Sequence, residues 1–173
     1  LGLVRQAFDA FMVEQTSGQR DAELHAVSTS RPRFLDGLLF SPVSLGQDDA
    51  PALAVDGPLV LLGERIFGGP TDHVTMHNTS SAEAAVEHLL EIGRRRIALI
   101  GADLRGGDEA SSANLRLKGY LRALERAGIE LDPALVRPTE MSRWNRAGGA
   151  AAAHLLVRDG LEFDAVFALS DTL

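Results

Sequence analysis

The segment Ala84–Gly101, AAVEHLLEIGRRRIALIG, decides the fold. Its first half continues a stripe in which Ala82, Ala85, Val86, Leu89 and Leu90 recur at i, i+3, i+4, i+7 and i+8, the spacing of one apolar face on an amphipathic helix. Ser80 with Glu83 offers a capping box at the start of that helix, and Gly93 ends it. Arg94, Arg95 and Arg96 follow, where cations complement the negative end of the helix dipole. Arg96–Ile100 (RIALI) then runs apolar without alternation, as a strand covered on both faces does.

The same alternation extends outward in both directions. Further strand candidates are Gly37–Phe40 (GLLF), Leu59–Leu62 (LVLL), Val74–Met76 and Ala165–Leu169 (AVFAL). A second helix carries Leu117, Tyr120, Leu121 and Leu124 and stops at Gly128; a third carries Gly148, Ala151, Ala152, Leu155 and Leu156 and stops at Gly160. Helix, short loop and strand in repetition predict right-handed βαβ crossovers, hence an α/β fold with parallel sheets flanked by helices. Asp132-Pro133 breaks the chain after the second helix, and Phe67–Pro70 (FGGP) separates two strands. Ala165–Leu169 is followed by only four residues, so the reading also expects the natural protein to continue beyond Leu173.

Composition bounds the function. The 173 residues carry a net charge of −7, with 45% hydrophobic and 24% charged residues and no cysteine. Disulfide staples and thiolate metal sites are excluded. Lys and Arg number 17 against 24 Asp and Glu, which argues against strong nucleic-acid binding by these residues themselves. No apolar run approaches the ~20 residues of a membrane span, and no basic stretch leads into a signal-peptide core, so the cytoplasm is the expected compartment and no membrane partner is expected. Gly101–Gly107 follows a strand but contains neither G-x-G-x-x-G nor a Gly-Lys-[Ser/Thr] phosphate loop. His73 and His77, beside Asp72, would lie ~13 Å apart on a strand at ~3.3 Å per residue, too far for one metal ion. No nucleophile elbow and no H-E-x-x-H occurs. Neither an enzyme, nor a cofactor, nor a metal site is expected.

Open α/β sheets bind ligands at the C-terminal ends of their strands. Ser41 follows GLLF, Glu64 follows LVLL, and Asp171 follows AVFAL; Arg116 stands early in the second helix, and Trp144, the only tryptophan, just before the third. Together they form a kit for a polyol. A carboxylate accepts from two neighbouring hydroxyls, a guanidinium donates a fork of hydrogen bonds, and an indole packs on the C–H face of a sugar ring. The competing roles are structural: Asp171 as a helix N-cap, Arg116 as an exposed helix residue, Trp144 as a core plug.

Several motifs resemble the LacI/GalR family of bacterial transcription regulators. Ala84–Gly101 is similar to that family's A-x-E-H-L-x-x-x-G-H-R-R-I-A-x-I-G, and Arg116–Tyr120 (RLKGY) to R-L-x-G-Y. Asp36–Pro42 (DGLLFSP), Ala127–Ile129 and Asp164–Leu173 (DAVFALSDTL) match further motifs in order, over about Val13 to Leu173. The resemblance implies a two-lobed periplasmic-binding-protein-like effector domain, with residues 1–76 belonging to the N-terminal lobe and 77–173 to the C-terminal lobe. It also implies a homodimer, a small polar effector such as a sugar held between the lobes, and operator DNA read only by a helix-turn-helix that these residues do not include. Arg116, Asp171, Trp144 and Ser41 fall on cleft-lining positions, and Glu64 replaces the usual Asp of an L-D-R string. Two departures stand out: His77-Asn78 where the family has Asp-Asn, and Arg94 where it has His. Leu1–Val4 resembles the opening strand, Ala7–Met12 part of the first helix and Val13–Thr16 the second strand, with too few residues between for a full crossover. A solute-binding protein of an ABC sugar transporter shares the implied fold and is the alternative function.

Overall fold

The structure, a computed structural model, describes residues 12–29, 35–105, 111–139 and 144–173. The expectations for Leu1–Val4 and for residues 7–11 lie outside them. Between Thr75 and Met76 the chain divides into two compact units.

The first unit contains helix α1 (Arg20–Thr29), strand β1 (Leu38–Phe40), a 3-10 helix (Gln47–Leu53), and strands β2 (Leu59–Leu62) and β3 (Asp72–Val74). The strands form a parallel sheet in the order β1-β2-β3, with Leu38 opposite Leu59 and Leu61 opposite His73. Side chains alternate across a strand. Leu59 and Leu61 are therefore buried on one face with Phe40, Val27 of α1, Leu53 of the 3-10 helix and Ile66. Two expectations change here. The third strand lies two residues earlier than Val74–Met76, because its ladder closes at Leu62 opposite Val74, and Val74 and Met76 are both about 60% exposed (61% and 60%). Val13–Thr16 forms no strand: Val13 to Gln15 are exposed, and β1 pairs with β2 alone among the described residues.

The second unit contains α2 (Asn78–Glu91), β4 (Ile97–Ile100), α3 (Ser112–Arg126), a short 3-10 turn (Pro133–Leu135), β5 (Val136–Arg137), α4 (Arg146–Arg158) and β6 (Ala165–Ala168). Its sheet is also parallel, in the order β5-β4-β6. The central strand β4 is buried at every position. Ile97 and Leu99 pack with Val86 and Leu90 of α2 and with Leu117, Tyr120 and Leu124 of α3, whereas Ala98 and Ile100 face Ala152 and Leu156 of α4. The unbroken apolar run of RIALI is thus one strand serving two cores. No helix among the described residues is long and apolar enough to cross a membrane.

Helix ends follow the expected chemistry with one exception. α2, α3 and α4 are followed by Gly93, Gly128 and Gly160 at positive φ (91°, 65° and 66°). Ser111 Oγ accepts from Asn114 N at 3.3 Å to cap α3, and Asn145 Oδ1 accepts from Gly148 N at 3.1 Å to cap α4. The capping box of Ser80 and Glu83 does not form. α2 begins earlier, with His77 as N-cap, so Ser80 lies within the first turn and Glu83 is buried, its Oε1 2.6 Å from Arg126 Nη1 of α3. Arg95 does close the C-terminal end, donating to Leu90 O at 2.7 Å. Next to it, Asp164 accepts from the backbone N–H of Arg95 and Arg96 at 2.7 and 3.0 Å, and these bonds hold its carboxyl below the usual range. The strand β5 escaped the sequence because two residues are too few to show a period.

α2 and α3 touch at Gly119. A Cβ there would stand 2.2 Å from Thr79 O and 2.8 Å from Glu83 N, both backbone atoms of α2. At the next residue, the buried Tyr120 hydroxyl donates to Ile97 O of β4 at 2.9 Å. Burial, with Asp132 adding a smaller repulsion, pushes this phenol up to about 12.

Gly119→Ala is expected to lower unfolding free energy by about 1–3 kcal/mol, the range for an overpacked core, while Gly46→Ala, with nothing within 4 Å of its Cβ, stays within about 0.5 kcal/mol. Urea titration of both variants checks this; equal midpoints would contradict the close approach. Tyr120 is the only tyrosine, so its phenolate absorbance can be followed alone. The unfolded chain loses this proton near pH ~10 and the folded chain retains it to about 12, so stability is intact below pH ~10 and falls as pH rises through that window. Ionisation near pH ~10 with the fold intact would contradict the buried phenol.

Candidate functional site

The R-L-x-G-Y motif is a positioning device. Arg116, Gly119 and Tyr120 stand at i, i+3 and i+4 on α3 and so share one helix face. Gly119 lets α3 approach the first turns of α2, Thr79 Oγ1 donates to Leu115 O across the contact at 3.1 Å, and Tyr120 ties the same face to β4. One turn earlier, half-buried Arg116 reaches the point where α2 begins and β6 ends. Its Nε donates to Asn78 Oδ1 at 2.7 Å and its Nη1 donates to Leu169 O.

Around this guanidinium is a hollow of about 250 Å³ lined by Met76, His77, Asn78, Ser81, Ala82, Arg116 and Phe167–Leu169. It lies wholly within the second unit, at the C-terminal end of a parallel strand. Its size is just below the ~300 Å³ at which drug-sized pockets begin, enough for part of a small metabolite. No carboxylate is among the lining residues, and none of the ion pairs among the described residues involves Arg116, whose two named partners are neutral oxygens. The arrangement therefore presents fixed donors, a hydroxyl and an amide beside the apolar Phe167 flank, which is the chemistry for an oxygen-rich ligand with a hydrocarbon face.

Of the five sequence candidates, Arg116 alone lines this hollow. Asp171 is exposed two residues beyond Leu169, with Ser170 Oγ donating to its Oδ1 at 3.3 Å. Trp144 is half-buried immediately before the α4 cap and packs against the α2–α3 core, with its indole Nε1 3.3 Å from the place a Cβ would take at Gly101. Ser41 is exposed after β1 and Glu64 half-buried after β2, both in the first unit. Asn78 was missed as a partner of Arg116. The sequence hid it, because the Ser80–Glu83 pair suggested a later start for α2, which in fact begins at Asn78. Glu23 was missed as well: it is fully buried, and its carboxylate accepts from the N–H groups of Val43, Ser44 and Leu45 in the loop that carries Ser41. Among the described residues no group of three or more His, Cys, Asp or Glu is placed to hold a metal ion.

Residues 86–173 match the model of the periplasmic binding protein-like domain. The transcriptional regulator CelR of Thermobifida fusca is 34% identical over 148 residues, covering 82% of this chain and 40% of that protein. A solved structure assigned to the LacI family of transcriptional regulators, from Sanguibacter keddieii, superposes with a TM-score of 0.78 at 41% identity, covering 99% of this chain and 59% of that one. A structure of the regulator CelR in complex with cellobiose superposes with a TM-score of 0.60 at 30% identity, over 87% of this chain and 45% of the other. The chain spans about half the length of the curated relatives it matches, 40%, 42% and 52% in three cases.

Proposed function

The chain belongs to the periplasmic binding protein-like domain family in the form carried by LacI/GalR-type transcription regulators, and from that premise we propose that it is the effector-sensing core of such a regulator. Its ligand is a small polar metabolite of the sugar class. Arg116, Asp171 and Trp144 of the second unit and Ser41 and Glu64 of the first contact it. Ligand-induced change in the arrangement of the units controls a separate helix-turn-helix that reads operator DNA, in a cytoplasmic homodimer. A ligand shifts such an equilibrium only by its differential affinity for the two states, which is why contacts from both units matter.

The observation that carries this reading is the Arg116 guanidinium, anchored by Asn78 and the Leu169 carbonyl at the rim of a strand-end hollow. Two neutral anchors leave its charge and its remaining N–H groups for ligand oxygens. Support for the sugar class comes from the CelR structure, which is a complex with cellobiose. The transporter alternative gains nothing from the relatives cited above, which are transcription regulators.

Calorimetry against cellobiose, glucose, ribose and gluconate is expected to find a binder in this panel. Arg116→Ala and Asp171→Ala should each weaken it by more than about 1.5 kcal/mol, roughly tenfold, as for a charge-assisted hydrogen bond. Emission from Trp144, the only tryptophan, should change on saturation. Unaltered affinity in both variants would remove these residues from the site, and no heat with any member of the panel would remove the sugar class.

A further inference from the structure

Glu23 is the least expected side chain in the first unit. It sits on α1 with 0% of its surface exposed, and no cation pairs with it among the described residues. Burying an unpaired carboxylate is strongly unfavourable unless hydrogen bonds replace its hydration. Here they do: Val43 N donates to Oε1 at 2.8 Å, Ser44 N to Oε2 at 3.0 Å, and Leu45 N to Oε2 at 3.0 Å. Three successive backbone N–H groups make a concavity of the kind that captures anions. The chain fills it with its own carboxylate, which fixes the path of the loop just after Ser41.

That loop is tied on its other side to the loop that carries Glu64. Arg65 Nε donates to Leu45 O at 2.8 Å, from the same residue whose N–H is held by Glu23. Two residues further, the Gln47 amide forms a reciprocal pair with the Phe67 backbone, donating to its O at 3.0 Å and accepting from its N at 2.9 Å. The bonds therefore run in series: Glu23 to Leu45, Leu45 to Arg65, and alongside them Gln47 to Phe67. An apolar residue at position 23 would fill the same space without the desolvation penalty, but it would leave three loop amides without an acceptor.

We propose that Glu23 is a positioning residue that locks together the two strand-end loops carrying Ser41 and Glu64, and thereby sets the affinity of the first unit for its ligand. The affinity part rests on the function proposed above; the locking does not. Glu23→Gln preserves volume but turns an NH2 toward the loop donors, so the loop must release at least one of them. Hydrogen exchange resolved to single amides is the measurement. In Glu23→Gln the amides of Val43, Ser44 and Leu45 should exchange at least tenfold faster, and so should the Phe67 amide in the second loop, with β4 amides of the second unit unchanged. Gln47→Ala, at an exposed position, should speed exchange of Leu45 even though its acceptor Glu23 is intact. Val27→Ala, which loosens the core that Leu45 and Ile66 of the two loops share but removes no hydrogen-bond acceptor from either loop, serves as the structural control and should leave sugar affinity unchanged, whereas Glu23→Gln should weaken it about tenfold. A Phe67 amide indifferent to Glu23→Gln and a Leu45 amide indifferent to Gln47→Ala would overturn the locking. Equal loss of affinity in Val27→Ala and Glu23→Gln would overturn the positioning role. If the unaltered chain binds no sugar, the proposed function fails while the exchange data still decide the lock.

Discussion

Where α2 and α3 cross, there is no room for a side chain at position 119, and much of the second unit depends on that contact. Because a Cβ at Gly119 would strike the Thr79 carbonyl, the two helices pack at backbone distance. That approach seals Val86, Leu117 and Leu124 over one face of β4, and it places Tyr120 where its hydroxyl reaches the Ile97 carbonyl. The same helix face carries Arg116 to Asn78 and Leu169. Core, register and candidate site are thus three consequences of one close approach, which is why a motif as short as RLKGY carries so much information.

The first unit solves a comparable problem with a carboxylate instead of a glycine. Its sheet is small, and the loops at the strand ends each anchor one apolar side chain, Leu45 and Ile66, in the core while hydrogen bonds fix the rest of their path. Glu23 supplies a buried acceptor for one loop, and the backbone of that loop then supplies an acceptor for Arg65 of the other. Hydrogen bonds, being directional, specify a loop conformation more narrowly than apolar burial does.

Most of the fold was legible because it rests on periodicity. The runs LVLL, RIALI and AVFAL contain strands, buried or partly buried except at Val166, and the stripes ending at Gly93, Gly128 and Gly160 are helices. The remainder was hidden for identifiable reasons. α1 buries Glu23 beside Val27, so its inner face does not read as apolar. β5 is too short to show a pattern, and β3 begins with the polar Asp72 and His73, which an apolar run does not include. In the site, Arg116 was visible through its motif. Asn78 was not, because its role follows from where α2 begins, and the Ser80–Glu83 pair suggested a later start. Trp144 and Asp171 show the limit of strand-end logic: one packs on the core and the other is exposed beyond the hollow, so their part in binding rests on the ligand.

A crystal structure of the protein soaked with the sugar it binds most tightly tests the central claim most directly. The account predicts ligand oxygens within hydrogen-bond distance of the Arg116 guanidinium, with the bonds to Asn78 and the Leu169 carbonyl retained and Gly119 still against α2. A ligand seated elsewhere, or an Arg116 side chain turned out of the hollow in the complex, would contradict it.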